Sequence, residues 1–205
     1  MESKSKDTYA EDELLDEFKA KANFHCQLGT GFTRMLSFKE AIDEFSQALS
    51  YDASNYLFYD KRGVAYEAKG EYENSIMDFT MALKLNERYA GAYNNRALIY
   101  YKLDRFDKAI ADYQKAIELI PEEALFHTNL GLAYYHNNEP QKAIAAFDTA
   151  IKLDPEDADT YGYRAETLAS IGEYDRAKAD FEHMRKLNPN DLIAYGNLAW
   201  ISILA

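Results

Sequence analysis

Four histidines and one cysteine are the first candidates for nucleophilic, acid–base or metal chemistry in this chain of 205 residues. A single cysteine, Cys26, can form neither an internal disulfide nor a cysteine-rich zinc site. The chain also lacks a His-Glu-x-x-His helix, a Gly-Lys-Ser/Thr phosphate loop and a Gly-x-Ser-x-Gly elbow. We therefore expect no enzymatic activity, no metal and no cofactor.

Asparagine side chains offer a different chemistry, because Asn95, Asn129 and Asn197 are separated by 34 residues or by twice that number. A primary amide has one acceptor and two donors, so it can match both polar groups of a peptide unit. Regularly spaced amides would hold an extended backbone whatever its side chains. Tyr101 and Tyr135 each follow an asparagine by six residues and add the apolar area typical of a peptide groove.

The 34-residue interval extends from residue 22 to the end of the chain. The eighth position of each unit is small, and the twenty-fourth is aromatic. The small residues are Gly29, Gly63, Ala97, Gly131, Ala165 and Ala199, and the rings are Phe45, Phe79, Tyr113, Phe147 and Phe181. Spacings of 3, 4 and 7 within a unit are helical. They predict units at 22–55, 56–89, 90–123, 124–157 and 158–191, followed by a half unit at 192–205.

Each unit is predicted to contain two helices. The first ends near a residue type that forms turns, as at Gly70, Asp104, Asn138 and Gly172. The second ends where proline forbids continuation, as at Pro121, Pro155 and Pro189. Small residues at the eighth and twentieth positions let two helix backbones approach, and the ring at the twenty-fourth position fills the seam.

These features resemble the tetratricopeptide repeat family, whose signature has a small residue, an aromatic residue three positions on, A-x3-F and a late proline. Residues 109–121 and 143–155 follow this pattern most closely. The resemblance implies an all-α, right-handed superhelical solenoid over residues 22–205, of the kind seen in bacterial members. We expect residues 1–11 to be a disordered tail and residues 12–21 to extend the first helix backwards.

The resemblance also implies a binding groove on the concave side, formed by one face of each first helix. Positions 2, 5, 6, 9, 12 and 13 share that face. The charges expected on it include Asp60, Glu67 and Glu166. The residues predicted to contact a peptide are Lys61, Asn94, Asn95, Leu98, Tyr101, Lys102, Asn129, Leu132, Tyr135, His136, Tyr163 and Asn197.

Charge limits the classes of partner. The net charge is −12, which would repel phosphate backbones and anionic lipid heads, so nucleic acid is excluded as a partner. No apolar stretch is long enough to span a bilayer. The first residues lack the apolar core of a secretory signal, so a cytoplasmic location is expected.

The function expected from these features is a protein–protein interaction scaffold that binds a peptide segment of a partner in its concave groove. The Lys and Asn pattern by which chaperone-binding members hold a C-terminal carboxylate is absent, because Asp60 and Val64 stand at two of its positions. Two alternatives remain open. The repeats could be the regulatory or targeting arm of a larger enzyme or signalling protein, or they could form homo-oligomers through the apolar helix that contains Trp200.

Overall fold

The computed structural model describes the backbone of residues 6–190 and 192–204, and the side chains of residues 14–190, 192 and 195–201. All regular structure in these ranges is helical. The helices are α1 Lys6–Arg34, α2 Phe38–Tyr51, α3 Tyr56–Ala68, α4 Tyr72–Leu85, α5 Ala90–Lys102, α6 Phe106–Leu119, α7 Ala124–His136, α8 Pro140–Leu153, α9 Ala158–Ser170, α10 Tyr174–Leu187 and α11 Leu192–Leu204. The chain divides into two compact bodies at the Ile99–Tyr100 bond, which lies within α5.

Within each body, the helices pack in sequence order. In the N-terminal body, α1 packs on α2, α2 on α3 and α3 on α4. In the C-terminal body the same succession runs from α6 to α11. The predicted all-α fold of helix pairs is confirmed.

The turn inside each repeat unit is the same in all five units. Its fifteenth position has a positive φ, from 54° to 83°, and is occupied by Leu36, Gly70, Asp104, Asn138 and Gly172. The amide after it donates to the carbonyl five residues back, as from Glu71 to Tyr66 at 2.9 Å and from Glu139 to Tyr134 at 2.9 Å. This bond closes the helix end in the manner of a Schellman motif. Leu36 was not expected here, because a branched side chain disfavours this conformation.

The seam between the two helices of a unit is closed by a ring against a small residue. A Cβ added to Gly63 would lie 2.9 Å from the Phe79 ring, and one added to Gly131 would lie 2.5 Å from the Phe147 ring. Both rings are fully buried. The predicted packing of the eighth position against the twenty-fourth is confirmed for these two units.

The N-terminal prediction differs from the structure in part. Residues 6–11 were expected to be disordered, but α1 begins at Lys6, so they are helical. Residues 1–5 lie outside the described part of the chain. Extension of an existing helix fixes one residue for each added hydrogen bond, which is far easier than starting a new helix. The segment 12–21, expected to extend the first helix, lies within α1.

Among the residues that the structure describes, no helix is both long and apolar enough to cross a membrane.

Candidate functional site

The N-terminal body has a pocket of about 210 Å³ between α1 and α3. Thr30, Thr33, Arg34, Phe45, Asp60, Lys61 and Val64 line it. Lys61 is the member of the predicted peptide site that it contains. Two basic side chains and one carboxylate therefore share this surface.

Asp60 is buried, although its position in the repeat predicted a place on the exposed groove face. Its carboxylate accepts a hydrogen bond from Tyr89 Oη at 3.0 Å and one from Asn95 Nδ2 at 3.2 Å. Burial raises the pKa of Asp60, and these two donors and Lys61 oppose that rise. The fifth position faces the next unit here, because α5 covers it.

Asn95 therefore differs from the free amide that the sequence suggested. Its Nδ2 donates to Asp60, and its Oδ1 accepts from Asn94 Nδ2 at 3.4 Å. The amide is half-buried and serves the contact between α3 and α5. Removal of the Asn95 side chain would therefore take one of its hydrogen-bond donors from the buried Asp60 carboxylate.

The C-terminal body has two adjoining pockets, of about 330 Å³ and about 350 Å³, which share Tyr135 and Glu166. The first is lined by Tyr101, Leu132, Tyr135, His136, Tyr163, Glu166 and Thr167. The second is lined by Tyr135, Glu166, Ala169, Ser170, Asn197 and Trp200. These residues come from the last turn of α5 and from α7, α9 and α11, and most occupy positions 6, 9, 12 and 13 of their units.

Aromatic contacts fix one wall of the first of these pockets. The ring of His136 stacks on Phe106, with centroids 5.7 Å apart and an angle of 21°. Tyr101 and Tyr135 meet the His136 ring edge to face, with centroids at 5.4 and 5.2 Å. Edge-to-face and offset stacking are the favoured arrangements of such rings. The wall is therefore a packed set of rings rather than independent side chains.

Glu166 supplies the negative charge of both pockets. Burial raises the pKa of its carboxyl, and a hydrogen bond from Asn197 partly opposes this. Burial, followed by the charges of Asp159, Asp157 and Glu166, raises the pKa of Tyr163. The negative field around Tyr163 therefore comes from several carboxylates.

The structure brings half of the predicted peptide site together. Tyr101, Leu132, Tyr135, His136, Tyr163 and Asn197 line the two pockets of the C-terminal body. Asn94, Asn95, Leu98, Lys102 and Asn129 line none of the three pockets described above. Leu98 and Asn129 are half-buried, and Lys102 is exposed. Trp200 and Glu166 were placed on the groove face by their position in the repeat but were not among the residues predicted to contact a peptide.

A network of arginine–aspartate pairs was missed by the sequence analysis. Arg62 donates from Nε and Nη2 to the two oxygens of Asp78, at 2.7 and 2.8 Å. Arg164 makes the same bidentate contact with Asp180, at 2.8 and 2.7 Å. Each pair joins the seventh and twenty-third positions of one unit, 16 residues apart. The joint occurrence of Arg and Asp at these positions was a signal available in the sequence.

The fourth unit has Leu130 and Ala146 at the same two positions, and both are buried. The arginines also reach the second helix of the preceding unit. Arg62 Nη1 donates to Ser46 Oγ at 3.0 Å, and Arg164 Nη1 donates to Asp148 at 2.6 Å. The network thus ties three helices together at each charged junction.

The cysteine and the histidines show no arrangement for catalysis within the described residues. Burial raises the pKa of the Cys26 thiol, which disfavours the reactive thiolate. His25 Nδ1 lies 2.6 Å from Glu44 Oε2, and its ring stacks on Tyr51. No group of three or more His, Cys, Asp or Glu side chains in this part of the chain could hold a metal ion.

Comparison with solved structures finds the same fold in several other proteins. A tetratricopeptide repeat protein from Parabacteroides merdae is 20% identical, with a TM-score of 0.80 over 90% of this chain and 73% of that one. MamA, residues 41 to the end, from Desulfovibrio magneticus RS-1 is 22% identical, with a TM-score of 0.73 over 82% and 93%. YrrB, described as a TPR protein with an unusual peptide-binding site, is 19% identical, with a TM-score of 0.74 over 90% and 95%. Comparison with curated proteins finds no match.

Three family models match the sequence itself. They are described as tetratricopeptide repeat over residues 94–158, TPR repeat over 68–104 and tetratricopeptide repeat over 146–179. Together they cover residues 68–179, which is more than half of the chain. The matched range includes the turns at Gly70, Asp104, Asn138 and Gly172. The chain belongs to the tetratricopeptide repeat family, whose repeats form scaffolds for protein interactions and are generally not catalytic.

Proposed function

We propose that this protein binds an extended peptide segment of a partner protein in the adjoining pockets of its C-terminal body. The observation that carries the proposal is the shared boundary of the two pockets, in which Tyr135 and Glu166 belong to both. A ligand could pass from one pocket to the other without leaving the surface. The similarity in fold to YrrB, whose description names a peptide-binding site, supports the same conclusion.

The dimensions of the surface suit an extended backbone. The first helices α7, α9 and α11 follow one another along it, and packed helix axes are roughly 8–10 Å apart. An extended chain advances about 3.3 Å per residue. A segment of about six residues would therefore cross the three helices.

The chemistry of the lining is mixed in the way that peptide grooves require. Rings at Tyr101, Tyr135, Tyr163 and Trp200 offer apolar area, while Asn197 and Ser170 offer hydrogen bonds. Trp200 is half exposed, at 52%, so its ring is open to a ligand. The preformed aromatic wall around His136 would lose little side-chain entropy on binding.

A selection from a random peptide library tests this proposal. The full chain is used as bait, and the selected peptides are measured against Tyr135→Ala. We expect affinity to fall at least roughly tenfold, because a central aromatic anchor typically contributes 2 kcal/mol or more. The control is Glu122→Ala/Glu123→Ala, which changes two exposed residues of an outer turn. Peptides that bind equally to the parent and to Tyr135→Ala would refute the groove.

Self-association through α11 is a second proposal, which the exposure of this helix favours. Leu192 is 82% exposed and Tyr195 is 47% exposed, while Ile201 is buried in the core of the C-terminal body. Exposed apolar patches promote association. Leu192→Gln should lower the apparent mass at high concentration in analytical ultracentrifugation. A parent chain that stays monomeric would exclude self-association through α11.

The cytoplasmic location expected from the sequence stays a prediction.

A further inference from the structure

We propose that the first pocket of the C-terminal body is specific for an arginine side chain of the bound peptide, with Tyr101, Tyr135 and Tyr163 around the guanidinium and Glu166 as its counter-ion. This inference rests on the proposed peptide-binding function and adds the chemistry of the ligand. The pocket concerned is the one of about 330 Å³. Leu132 and Thr167 also line it, with an aliphatic and a hydroxyl side chain.

The charge of the pocket favours a cation. Of its lining residues, Glu166 is the one with a carboxylate, and no lysine or arginine lines this pocket or the adjoining one. Asp157 and Asp159 add to the negative field at Tyr163. Asn197 donates to Glu166 and so orients the carboxylate without neutralising its charge. The anion is solvent-accessible, and a ligand can reach it.

The rings supply the second element of cation recognition. The face of a tyrosine ring attracts a cation within about 6 Å of its centroid. Tyr101 and Tyr135 are held at fixed angles by the His136 ring, and Tyr163 packs on the buried Phe147 with centroids 6.2 Å apart. The pocket therefore presents ordered aromatic surfaces beside a carboxylate.

The same combination already holds arginines elsewhere in this protein. The Arg62 guanidinium lies 5.8 Å from the ring centroids of both Tyr59 and Tyr66, and it pairs with Asp78 in a bidentate manner. The Arg164 guanidinium lies 5.7 Å from the Tyr161 ring and pairs with Asp180. At both sites, therefore, tyrosine rings and a carboxylate bind the guanidinium together.

Arginine is favoured over lysine by the shape and hydration of its charged group. The side chains of Arg62 and Arg164 are only 20% and 18% exposed, whereas Lys142, which also lies over a tyrosine ring, is 62% exposed. A guanidinium is more weakly hydrated than an ammonium, and its plane can stack on a ring while its donors reach a carboxylate. A guanidinium can therefore lie against the tyrosine rings of this pocket while its donors reach Glu166.

Nuclear magnetic resonance titration of the full, isotopically labelled chain tests the inference. The probes are three acetylated and amidated pentapeptides, Gly-Ala-X-Ala-Gly, in which X is arginine, lysine or citrulline. Citrulline has nearly the shape of arginine but no charge. We expect the arginine peptide to shift the signals of Tyr135, Tyr163 and Glu166 and to bind roughly 5- to 30-fold more tightly than the citrulline peptide.

Two variants connect this preference to the pocket. Glu166→Gln keeps the shape of the side chain and removes its charge, so the arginine and citrulline peptides should then bind about equally. Glu156→Gln removes one charge from an exposed outer turn and should leave the ratio unchanged. Thermal melting of both variants checks that the fold is intact.

The outcomes separate this inference from the proposed function. No binding of the arginine peptide, equal binding of the citrulline peptide, or equal or tighter binding of the lysine peptide would each overturn the arginine pocket. If library peptides still depend on Tyr135 in that case, the peptide groove stands and only its specificity is wrong. If no library peptide depends on Tyr135 either, both proposals are wrong.

Discussion

The second repeat unit, 56–89, and the fourth, 124–157, solve the same packing problem with different chemistry. Both place a glycine against a buried phenylalanine ring, and both turn through a residue with positive φ. At the junction of the seventh and twenty-third positions, the second unit has a bidentate Arg62–Asp78 pair, whereas the fourth has Leu130 and Ala146. The junction therefore needs matched partners rather than charge as such.

A second difference lies at the fifth position of the two units. Asp60 is buried and accepts hydrogen bonds from Tyr89 and Asn95. Thr128 is also buried, and its hydroxyl lies 2.7 Å from that of Thr160. One unit thus has a titratable group and the other a neutral one at the same place. Five experiments compare the two units and their equivalents along the chain, and they follow in order of decreasing effect.

Removal of one member of the charged pair should give the largest effect. Asp78→Ala leaves the Arg62 guanidinium without its carboxylate at a site where the arginine is only 20% exposed. We expect the free energy of unfolding to fall by about 2–4 kcal/mol, because a buried charge without its partner destabilises the folded state. Urea denaturation measures this loss.

The double variant Arg62→Leu/Asp78→Ala is the matched control, because it copies the fourth unit. It should lie within about 1 kcal/mol of the parent, since an apolar pair can replace an ion pair at little cost. A double variant as unstable as Asp78→Ala would contradict the equivalence of the two junctions.

The reverse exchange should have the next largest effect. Leu130→Arg places a guanidinium at a buried seventh position of a unit in which the twenty-third position is Ala146, so we expect a loss of about 2–3 kcal/mol. Addition of Ala146→Asp should restore at least about 1 kcal/mol of this loss. Melting temperatures of the single and double variants provide the measurement. No recovery in the double variant would mean that neighbouring helices, and not the pair, define the charged junction.

The contact between glycine and phenylalanine is closer in the fourth unit than in the second. Gly131→Ala should cost about 1–2 kcal/mol and Gly63→Ala less than about 1 kcal/mol, because the nearest ring carbon would be 2.5 Å away in the first case and 2.9 Å in the second. Gly31→Ala is the control in a helix, since a Cβ there meets no atom within 4 Å. It should stabilise by about 0.5–1 kcal/mol through helix propensity. Chemical denaturation of the three variants tests the order, and equal effects would contradict it.

The turns allow a smaller and favourable change. Gly70 and Asn138 suit a positive φ, whereas Leu36 adopts a φ of 59° with its side chain 74% exposed. Leu36→Gly should stabilise by about 0.5–1 kcal/mol, because it relieves the left-handed strain without loss of packing. Asn138→Gly should change the free energy of unfolding by only a few tenths of 1 kcal/mol. A lower melting temperature for Leu36→Gly would contradict this prediction. It would show that the exposed leucine side chain stabilises the folded state.

The buried Asp60 should give the smallest effect, visible in its pH dependence. Its pKa is raised above the ordinary 3.8, so the folded state binds the proton more tightly than the unfolded chain does. The contribution of Asp60 to stability is therefore greatest below that value and declines as the pH rises through the raised pKa. The difference in stability between Asp60→Asn and the parent should shift in favour of the variant over the same range.

Thr128→Val in the fourth unit is the control for this pH dependence. It removes a neutral hydroxyl at the equivalent position, so its effect on the free energy of unfolding should be the same at every pH. Urea denaturation of both variants from acid to neutral pH makes the comparison. A flat difference for Asp60→Asn would contradict the assigned role of burial.

The sequence by itself determined the helix pairs, the turns and the face that forms the pockets of the C-terminal body. Local rules suffice for these features, because a 34-residue period repeats them and a helix advances by 100° per residue. Tyr101, Tyr135 and Asn197 could be assigned to one surface for this reason. The turn at Leu36 was not predicted, since leucine disfavours the positive φ that this position adopts.

Only the tertiary structure decided which side chains of that face are free. Asp60 and Asn95 are 35 residues apart, and their hydrogen bond depends on the distance between successive helices rather than on helical angle. The Arg62–Asp78 contact likewise depends on the packing of two helices across a turn. The burial of a groove-face side chain depends on which residues of the next repeat unit pack against it. Helical periodicity within one unit does not specify those contacts.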